Sequence, residues 1–325
     1  MGNHAQRDPP ARHWITLMNS HSPQQSAPRA SALGVIGAGR VGRAVTAAAV
    51  TAGLVPTVLV HSRQLVEAVA LATDVSDLAA TQHAPTRVDA VEHPRELRSC
   101  AALVICVRAR FRNTHSEARL GGLAVNTPLV VELARQLRDF TGPVIVVTNP
   151  VDLMTRVFAE RSTAPETVVG IGSNLDSARY RTLVARFADV AVPMVTGSVL
   201  GEHGSTATIC AHATRVASRP VELPLAWIRQ QLHARAETIT AGIDRTQYGP
   251  AGAILATAAK LLGHADGHEE LSVAAPSGVR MGQRLGFAGG HWWHDPPELA
   301  LAEQQSLAHS EAKLASLYDQ LKTHL

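Results

Sequence analysis

Short apolar runs and longer helical stretches alternate along the first half of the chain. Apolar runs bounded by glycine, proline or polar residues predict buried strands, here over residues 33–36, 57–60, 101–107, 144–147 and 167–171. Apolar residues at helical spacing predict helices between them, over 43–52, 64–71, 129–140 and 151–160. Strands that alternate with helices are typical of an α/β fold with a doubly wound parallel sheet.

Beyond residue 171 this alternation stops, and long helices dominate. The spacing predicts helices over 226–242, 251–262 and 297–325, and short strands over 271–274 and 284–287. This half therefore looks α+β, and we expect a domain of that class over residues 171–325. Residues 1–30 have no apolar period and are rich in polar residues and proline, which predicts a disordered tail or an N-terminal arm that packs on a neighbouring subunit.

Composition narrows the classes of protein. The 325 residues are 46% hydrophobic, which is enough for a sizeable globular core. The net charge is only +3, and lysine and arginine form no long run, so nucleic acid is not expected as the main partner. No segment has the length of apolar sequence that a membrane span or a signal peptide needs.

Cysteine and histidine usage gives no indication of a metal site. The three cysteine residues, Cys100, Cys106 and Cys210, form no CxxC pair, and a reduced cytoplasmic setting is the simpler interpretation. His291 and His294 have a spacing that suits a metal, but no cysteine or carboxylate cluster accompanies them. We therefore expect a loop or sheet-edge pair there and no metal.

A glycine-rich turn follows the first predicted strand. The sequence Gly37-Ala38-Gly39-Arg40-Val41-Gly42 lies between that strand and an alanine-rich helix, the context that makes a GxGxxG match informative. Gly37 would form the tight turn, Gly39 would let the backbone approach a pyrophosphate, and Gly42 would let the helix pack closely on the strand. With Arg40 and Val41 at the helix N-terminus, the motif predicts a dinucleotide-binding Rossmann domain over residues 31–170.

The second predicted strand ends in His61-Ser62-Arg63. An acidic residue is expected about 20 residues beyond the glycine turn when the adenosine ribose carries a free 2′-hydroxyl. The histidine, hydroxyl and arginine found here would instead suit a 2′-phosphate, which makes NADP(H) at least as strong an expectation as NAD(H). Alternatively, Arg63 is simply a solvated residue in the first turn of a helix.

The stretch Ile171 to Arg179 and the turn Gly201-Glu202-His203-Gly204 carry the candidate catalytic groups. Asp176 and Arg179 are three residues apart and would share one helix face. The carboxylate would hold a histidine, and the guanidinium would offer two parallel donors to a substrate carboxylate. His203, between flexible glycines, is the candidate histidine. Each feature alone would more often be a solvated ion pair or a turn residue.

Two further segments follow predicted strands. Asn149, just before Pro150, is either the N-cap of the next helix or a donor to a substrate oxygen at the carboxyl end of its strand. The arginine-dense segment 108–119 would cover the ligand crevice as a lid. It could equally be a solvated face, or a nucleic-acid contact without the usual aromatic residues.

In this order, the motifs GAGRVG, EARL, TNPVD, NLDSAR, GEHG and TQYG resemble the L-lactate/malate dehydrogenase family. The resemblance implies that His203 is the acid/base, that Asp176 orients it, that Arg179 binds the substrate carboxylate and that Arg119 polarises the 2-oxo group. It also implies that three further residues line the site: Asn149 would bond the reacting oxygen, Asn126 would shape the nicotinamide pocket, and Thr246 would line the pocket for the substrate's side chain.

Three features depart from the family pattern: Asn113, His61, and Val107-Arg108-Ala109 in place of the usual Gly-Ala after the fourth strand. Asn113 stands where lactate enzymes resemble one another in having Gln and malate enzymes in having Arg. Arg112, next to it, could meet an anionic substrate tail, although a shift of one residue reverses direction in an extended segment. His61 replaces the ribose-binding acid. These departures favour a specialised 2-oxo acid reductase.

The leading hypothesis is therefore an NAD(P)-dependent oxidoreductase that transfers a hydride between the nicotinamide and C2 of a 2-hydroxy or 2-oxo carboxylic acid. The resemblance also implies a homodimer or homotetramer. The competing hypothesis is a dinucleotide-binding regulator or scaffold that keeps the fold without turnover. A redox-assisted glycosidase would need a cysteine/histidine metal pair, and none is placed for it.

Overall fold

The computed structural model describes residues 31–111 and 120–322. The predicted N-terminal arm over residues 1–30 lies outside these ranges. So do three predicted site residues, Arg112, Asn113 and Arg119, and most of the arginine-dense segment that contains them.

The first half of the described chain forms a parallel sheet whose strands are connected by helices. Its strands are β1 (Ala32–Ile36), β2 (Thr57–His61), β3 (Arg87–Val91), β4 (Ala102–Ile105), β5 (Val144–Val146) and β6 (Val168–Gly170). The order β3-β2-β1-β4-β5-β6 has its switch between β1 and β4, and every neighbouring pair is parallel. Ligands bind such sheets at this switch, beyond the carboxyl ends of the strands.

Helices cover both faces of this sheet, as the alternation predicts. The helices are α1 (Arg40–Thr51), α2 (Leu65–Thr81), α3 (Leu123–Gln136) and α4 (Val151–Ala159). Buried residues of α1 and α2 belong to the core on one face, and those of α3 and α4 belong to the core on the other. With both faces buried, the strands are apolar throughout, which explains why the sequence pattern revealed most of them.

Strand β3 is the strand of the parallel part of the sheet that the sequence pattern missed. It is the outermost strand, and the side chain of Arg87 pairs with Asp89 at 2.8 Å on its exposed side. A half-exposed edge strand has too few apolar residues to stand out from a polar connection. The predicted helix over 64–71 is also longer in the structure, where it continues to Thr81 as α2.

The second half adds helices and antiparallel strands. Five short strands, β7 (Val195–Thr196), β8 (Val199–Leu200), β9 (Thr208–Ile209), β10 (Arg215–Val216) and β11 (Arg219–Pro220), form two small sheets. The sequence pattern did not predict these short strands either. The later strands β12 (Gly267–Ala274), β13 (Arg280–Ala288) and β14 (His291–His294) extend the large sheet, since Ser272 pairs with Gly170 of β6. The sheet thus crosses the predicted domain boundary at residue 170, and that boundary stays a prediction.

Four helices complete this half: α5 (Ser173–Ala188), α6 (Leu225–Ile243), α7 (Tyr248–Leu261) and α8 (Leu301–Lys322). Leu314, Tyr318 and Leu321 of α8 join the core formed with α3 and α4, which fixes the C-terminal helix to the first half. His291 and His294 lie in the edge strand β14. Within the described ranges, we find no helix long and apolar enough to cross a membrane.

The glycine at the start of α1 gives a test of the fold. A Cβ on Gly42 would lie 1.7 Å from the backbone oxygen of Gly37. We expect Gly42→Ala to lower the free energy of unfolding by about 3 kcal/mol, because backbone cannot yield as a flexible side chain can. Urea denaturation of the purified protein measures this change.

Gly252→Ala is the matched control. Gly252 is helical, and a Cβ there would meet nothing within 4 Å. This change should raise the free energy of unfolding by about 0.5–1 kcal/mol, because alanine loses less backbone entropy in a helix. Equal destabilisation by the two substitutions would contradict the packing argument.

Candidate active site

His203 and Asp176 meet as the sequence pattern proposed. The Nδ1 atom of His203 lies 2.6 Å from Oδ2 of Asp176, and the two side chains are only 10% and 13% exposed. A carboxylate can only accept, so the proton of this hydrogen bond belongs to Nδ1. The other ring nitrogen, Nε2, is then the atom that can exchange a proton with a substrate.

The backbone of Gly172, just before α5, lets the His203 ring come close. Gly172 has a φ of 146°, and a Cβ on it would lie 2.5 Å from Cγ of the His203 ring. Only glycine adopts this conformation readily, and only glycine leaves room for the imidazole. The glycine in the IGSNLDSAR stretch therefore positions the histidine as directly as Asp176 does.

Asp152 holds the histidine from its backbone, a role that the sequence pattern did not reveal. The backbone N–H of His203 donates to Oδ2 of Asp152 at 2.8 Å. Asp152 is 3% exposed and lies in the first turn of α4, right after the Asn149-Pro150 pair. The sequence did contain a signal for this role: Asp152 is an acidic residue that follows Asn-Pro-Val at the carboxyl end of a predicted strand.

Glu202 fixes the turn that carries His203 to the C-terminal helix. Its buried carboxylate oxygen Oε2 accepts from the Thr206 backbone at 3.1 Å and from the Thr206 hydroxyl at 2.6 Å. Lys313 of α8 approaches the same oxygen at 3.1 Å. Ser310, also on α8, accepts from the backbone N–H of Glu202 at 2.6 Å. The histidine is thus held between α5 on one side and α8 on the other.

Arg179 lies beside the same carboxylate. Its Nη1 atom is 3.4 Å from Oδ1 of Asp176, and the arginine side chain is 11% exposed. One oxygen of Asp176 therefore contacts the histidine, while the other contacts the arginine. The pair predicted to be one helical turn apart does share a face of α5 and meets His203 there.

Thr246 lies in the connection between α6 and α7, close to Gly249, which approaches Leu175 of α5. A Cβ on Gly249 would lie 3.2 Å from Leu175 and 3.7 Å from the hydroxyl of Thr246. Leu175 and Arg179 are four residues apart, so they line the same face of α5. Thr246 thus lies near Gly249 and on the side of Leu175, and its role in lining a substrate's tail stays a prediction.

Asn149 and Asn126 meet through a backbone contact. The amide of Asn126 donates to the backbone oxygen of Asn149 at 2.8 Å, and its own oxygen accepts from Ala109 N–H at 2.9 Å. Asn126 is buried, and its two hydrogen bonds connect the loops after β4 and β5.

The side chain of Asn149 is exposed, and the N-cap of α4 is Pro150. The capping role considered for Asn149 is therefore wrong.

The glycine turn fits a dinucleotide. Gly37 has a φ of 119°, and a Cβ there would lie 2.9 Å from the backbone oxygen of Cys106, whereas a Cβ on Gly39 would meet nothing within 4 Å. Helix α1 begins at Arg40 without a side-chain capping hydrogen bond. The open backbone at Gly39 and the first N–H groups of α1, at Arg40 and Val41, are what a pyrophosphate requires.

Two side chains surround this turn. Burial raises the pKa of the Cys106 thiol to about 12, so the sulfur below the turn is neutral at pH 7 and does not repel an anion. Arg40 extends across the turn, where it donates to the backbone oxygen of Ile243 at 2.7 Å and pairs with Asp244 at 3.1 Å. Arg40 therefore connects the glycine turn to the end of α6.

The end of β2 differs from the arrangement expected for a 2′-phosphate site. The ring of His61 is buried, and its Nδ1 atom lies 3.4 Å from the backbone oxygen of Val91 at the end of β3. Burial lowers the pKa of His61, so its ring is neutral near pH 7. Ser62 donates to Glu67 at 2.7 Å, and only Arg63 is exposed. The three residues do not form a cationic cluster.

Comparison with known proteins also identifies a dinucleotide-binding domain in the first half of the chain. Residues 32–170 match the model of the lactate/malate dehydrogenase NAD-binding domain. The L-lactate dehydrogenase 2 of Staphylococcus aureus strain JH9 is 36% identical over 137 residues, which are 41% of this chain and 43% of that protein. The sequence match thus spans less than half of that relative's length.

Solved structures extend the likeness of fold to nearly all of the chain. MGS-M5, a lactate dehydrogenase from a Medee basin deep-sea metagenome library, superposes with a TM-score of 0.83 at 21% identity, covering 90% of this chain and 99% of that one. The Cryptosporidium parvum lactate dehydrogenase, complexed with lactic acid and nicotinamide adenine dinucleotide, gives a TM-score of 0.80 at 19% identity, covering 90% and 98%. Residues 32–170 are thus similar to the NAD-binding domain of lactate/malate dehydrogenases, and the described chain as a whole shares the fold of solved lactate dehydrogenases.

Proposed function

We propose that this protein transfers a hydride between a nicotinamide dinucleotide and C2 of a 2-hydroxy or 2-oxo carboxylic acid. The observation that carries the proposal is the contact of His203 and Arg179 with the two oxygens of one carboxylate, Asp176. This group lies beyond the carboxyl ends of the strands, the side of the sheet on which the glycine turn opens.

His203 acts as the acid/base in this proposal. Asp176 keeps the proton on Nδ1 and stabilises the ring when Nε2 is also protonated. When bound, the dinucleotide supplies the hydride for C2 or accepts it in the opposite direction. During reduction, Nε2 of His203 gives its proton to the developing alkoxide oxygen. During oxidation, the same nitrogen takes the proton from the 2-hydroxyl group.

Arg179 binds the substrate carboxylate through two parallel hydrogen bonds. Its Nη1 atom lies 3.4 Å from Asp176, which keeps the guanidinium beside the proposed acid/base. Thr246 lines the substrate's tail, and Asn149 bonds the reacting oxygen. Arg119 polarises the 2-oxo group, and Arg112 and Asn113 meet the tail; these three roles rest on the resemblance alone.

The dinucleotide is held by the glycine turn: Gly37, Gly39 and Gly42 shape it, and the backbone at Arg40 and Val41 binds the pyrophosphate. Asn126 shapes the nicotinamide pocket by connecting the loops after β4 and β5. The matched domain is NAD-binding. The preference between NAD(H) and NADP(H) depends on the residues near the end of β2 that would contact the adenosine ribose. The expected homodimer or homotetramer and the cytoplasmic setting stay predictions.

A panel of 2-oxo acids tests the proposal directly. The purified protein should oxidise NADH or NADPH, seen as falling absorbance of the reduced nicotinamide, when a suitable 2-oxo acid is supplied. Acids with methyl, branched, aromatic and carboxylate tails would identify the substrate class. Dinucleotide binding without turnover on any member would instead favour the regulator or scaffold.

His203→Asn tests the assigned acid/base. We expect kcat to fall between about a hundredfold and ten-thousandfold, because asparagine cannot carry the proton. NADH affinity, measured by fluorescence titration, should change little. His264→Asn, at an exposed site outside the crevice, is the control and should keep full activity. Turnover that persists in the His203 variant would show that another group moves the proton.

Arg179→Lys tests the carboxylate clamp. A lysine keeps the charge but cannot form two parallel hydrogen bonds, so we expect KM for the 2-oxo acid to rise about 10- to 100-fold. Arg186→Lys, at an exposed position on the same helix, should leave KM unchanged. If both variants behave alike, the carboxylate is bound elsewhere.

A further inference from the structure

The end of β2 lacks the expected acid, but a carboxylate reaches the same place from the next helix. Glu67 lies in the first turn of α2, and its Oε2 atom accepts from the hydroxyl of Ser62 at 2.7 Å. Ser62 directly follows β2, so this hydrogen bond fixes the carboxylate at the carboxyl end of that strand.

A second contact joins Glu67 to the loop that follows β4. Its Oε1 atom lies 3.9 Å from Nη2 of Arg110, in the loop after β4. Strands β2 and β4 flank β1 in the sheet. Glu67 therefore lies at the edge of the sheet where the glycine turn follows β1, between the loops that follow β2 and β4. An adenosine held by that turn lies in the same region.

The chemistry of this position favours a hydroxyl ligand over a phosphate. A carboxylate accepts hydrogen bonds from a ribose hydroxyl and repels a phosphate dianion. The Glu67 side chain is 39% exposed, and among residues 31–111 and 120–322 the contact found for its Oε1 atom is the long one to the 82% exposed Arg110. That oxygen can therefore bond a ligand while Ser62 holds the other one.

We propose that Glu67, positioned by Ser62, binds the 2′-hydroxyl of the adenosine ribose and makes the protein selective for NAD(H) over NADP(H). The acid missing after β2 is thus supplied from the first turn of α2. This inference replaces the expectation drawn from His61, Ser62 and Arg63. It rests on the dinucleotide-binding part of the proposed function, and it does not depend on the substrate.

Calorimetric binding of adenosine fragments to the full chain tests the inference without turnover. The ligands are ADP-ribose, its 2′-deoxyadenosine analogue and its 2′-phosphoadenosine analogue. Wild type should bind ADP-ribose at least about tenfold more tightly than the other two, as expected for a hydrogen bond to a charged group. Glu67→Ala should lose that advantage, with ADP-ribose binding about tenfold weaker.

The 2′-deoxy ligand separates a direct bond from an indirect effect. Wild type and Glu67→Ala should bind it within about twofold of one another, since the missing hydroxyl removes the proposed partner. The 2′-phosphate ligand should bind the variant as well as wild type or better. Asp74→Ala is the control, because Asp74 is an exposed acid two turns further along α2. It should leave all three affinities unchanged.

Two results would overturn the inference. Equal losses for ADP-ribose and its 2′-deoxy analogue in Glu67→Ala would show that Glu67 does not contact the hydroxyl. Tighter binding of the 2′-phosphate by wild type would restore the NADP(H) expectation, with Arg63 as its cation. If the fragments discriminate as expected but no 2-oxo acid is reduced, the proposed function fails while this inference stands.

Discussion

The carboxylate of Asp176 is the group around which the site is arranged. One oxygen contacts His203 at 2.6 Å, and the other contacts Arg179 at 3.4 Å. A carboxylate in so little solvent is costly unless it is hydrogen-bonded, and these two neighbours satisfy it. The same contacts fix the proton of the His203 ring on Nδ1 and keep the Arg179 guanidinium beside it, as the proposed reaction requires. The two contacts of Asp176 therefore both orient the neighbouring side chains and stabilise the buried carboxylate.

The rest of the fold serves to hold that arrangement rigid. Gly172 leaves room for the imidazole, and Asp152 holds the backbone of His203 from α4. Glu202 and Lys313 tie the turn to the C-terminal helix. The histidine is thus braced by segments that are distant in sequence. Such bracing matters because proton transfer depends on distances of a few tenths of an ångström.

The cofactor side of the crevice depends on backbone geometry more than on side-chain contacts. Its shape comes from backbone: the turn at Gly37, the open approach at Gly39 and the N-terminus of α1. The proposed discrimination between dinucleotides depends instead on side chains near the end of β2, where His61 is buried and Ser62 holds the half-exposed Glu67. A family can therefore keep the turn and change the residue that distinguishes a hydroxyl from a phosphate.

The sequence alone was enough to predict the features that depend on residues close together in the chain. Buried parallel strands are apolar throughout, glycine turns have fixed spacing, and Asp176 and Arg179 share a face through helix geometry. Edge strand β3, half exposed, could not be recognised in this way. Three features depend on which segments pack together: the burial of His61, the hydrogen bond that the backbone of His203 donates to Asp152, and the contact of Glu67 with Arg110. Those contacts join side chains from different strands and helices, so they exist only once the sheet has brought the segments to one edge.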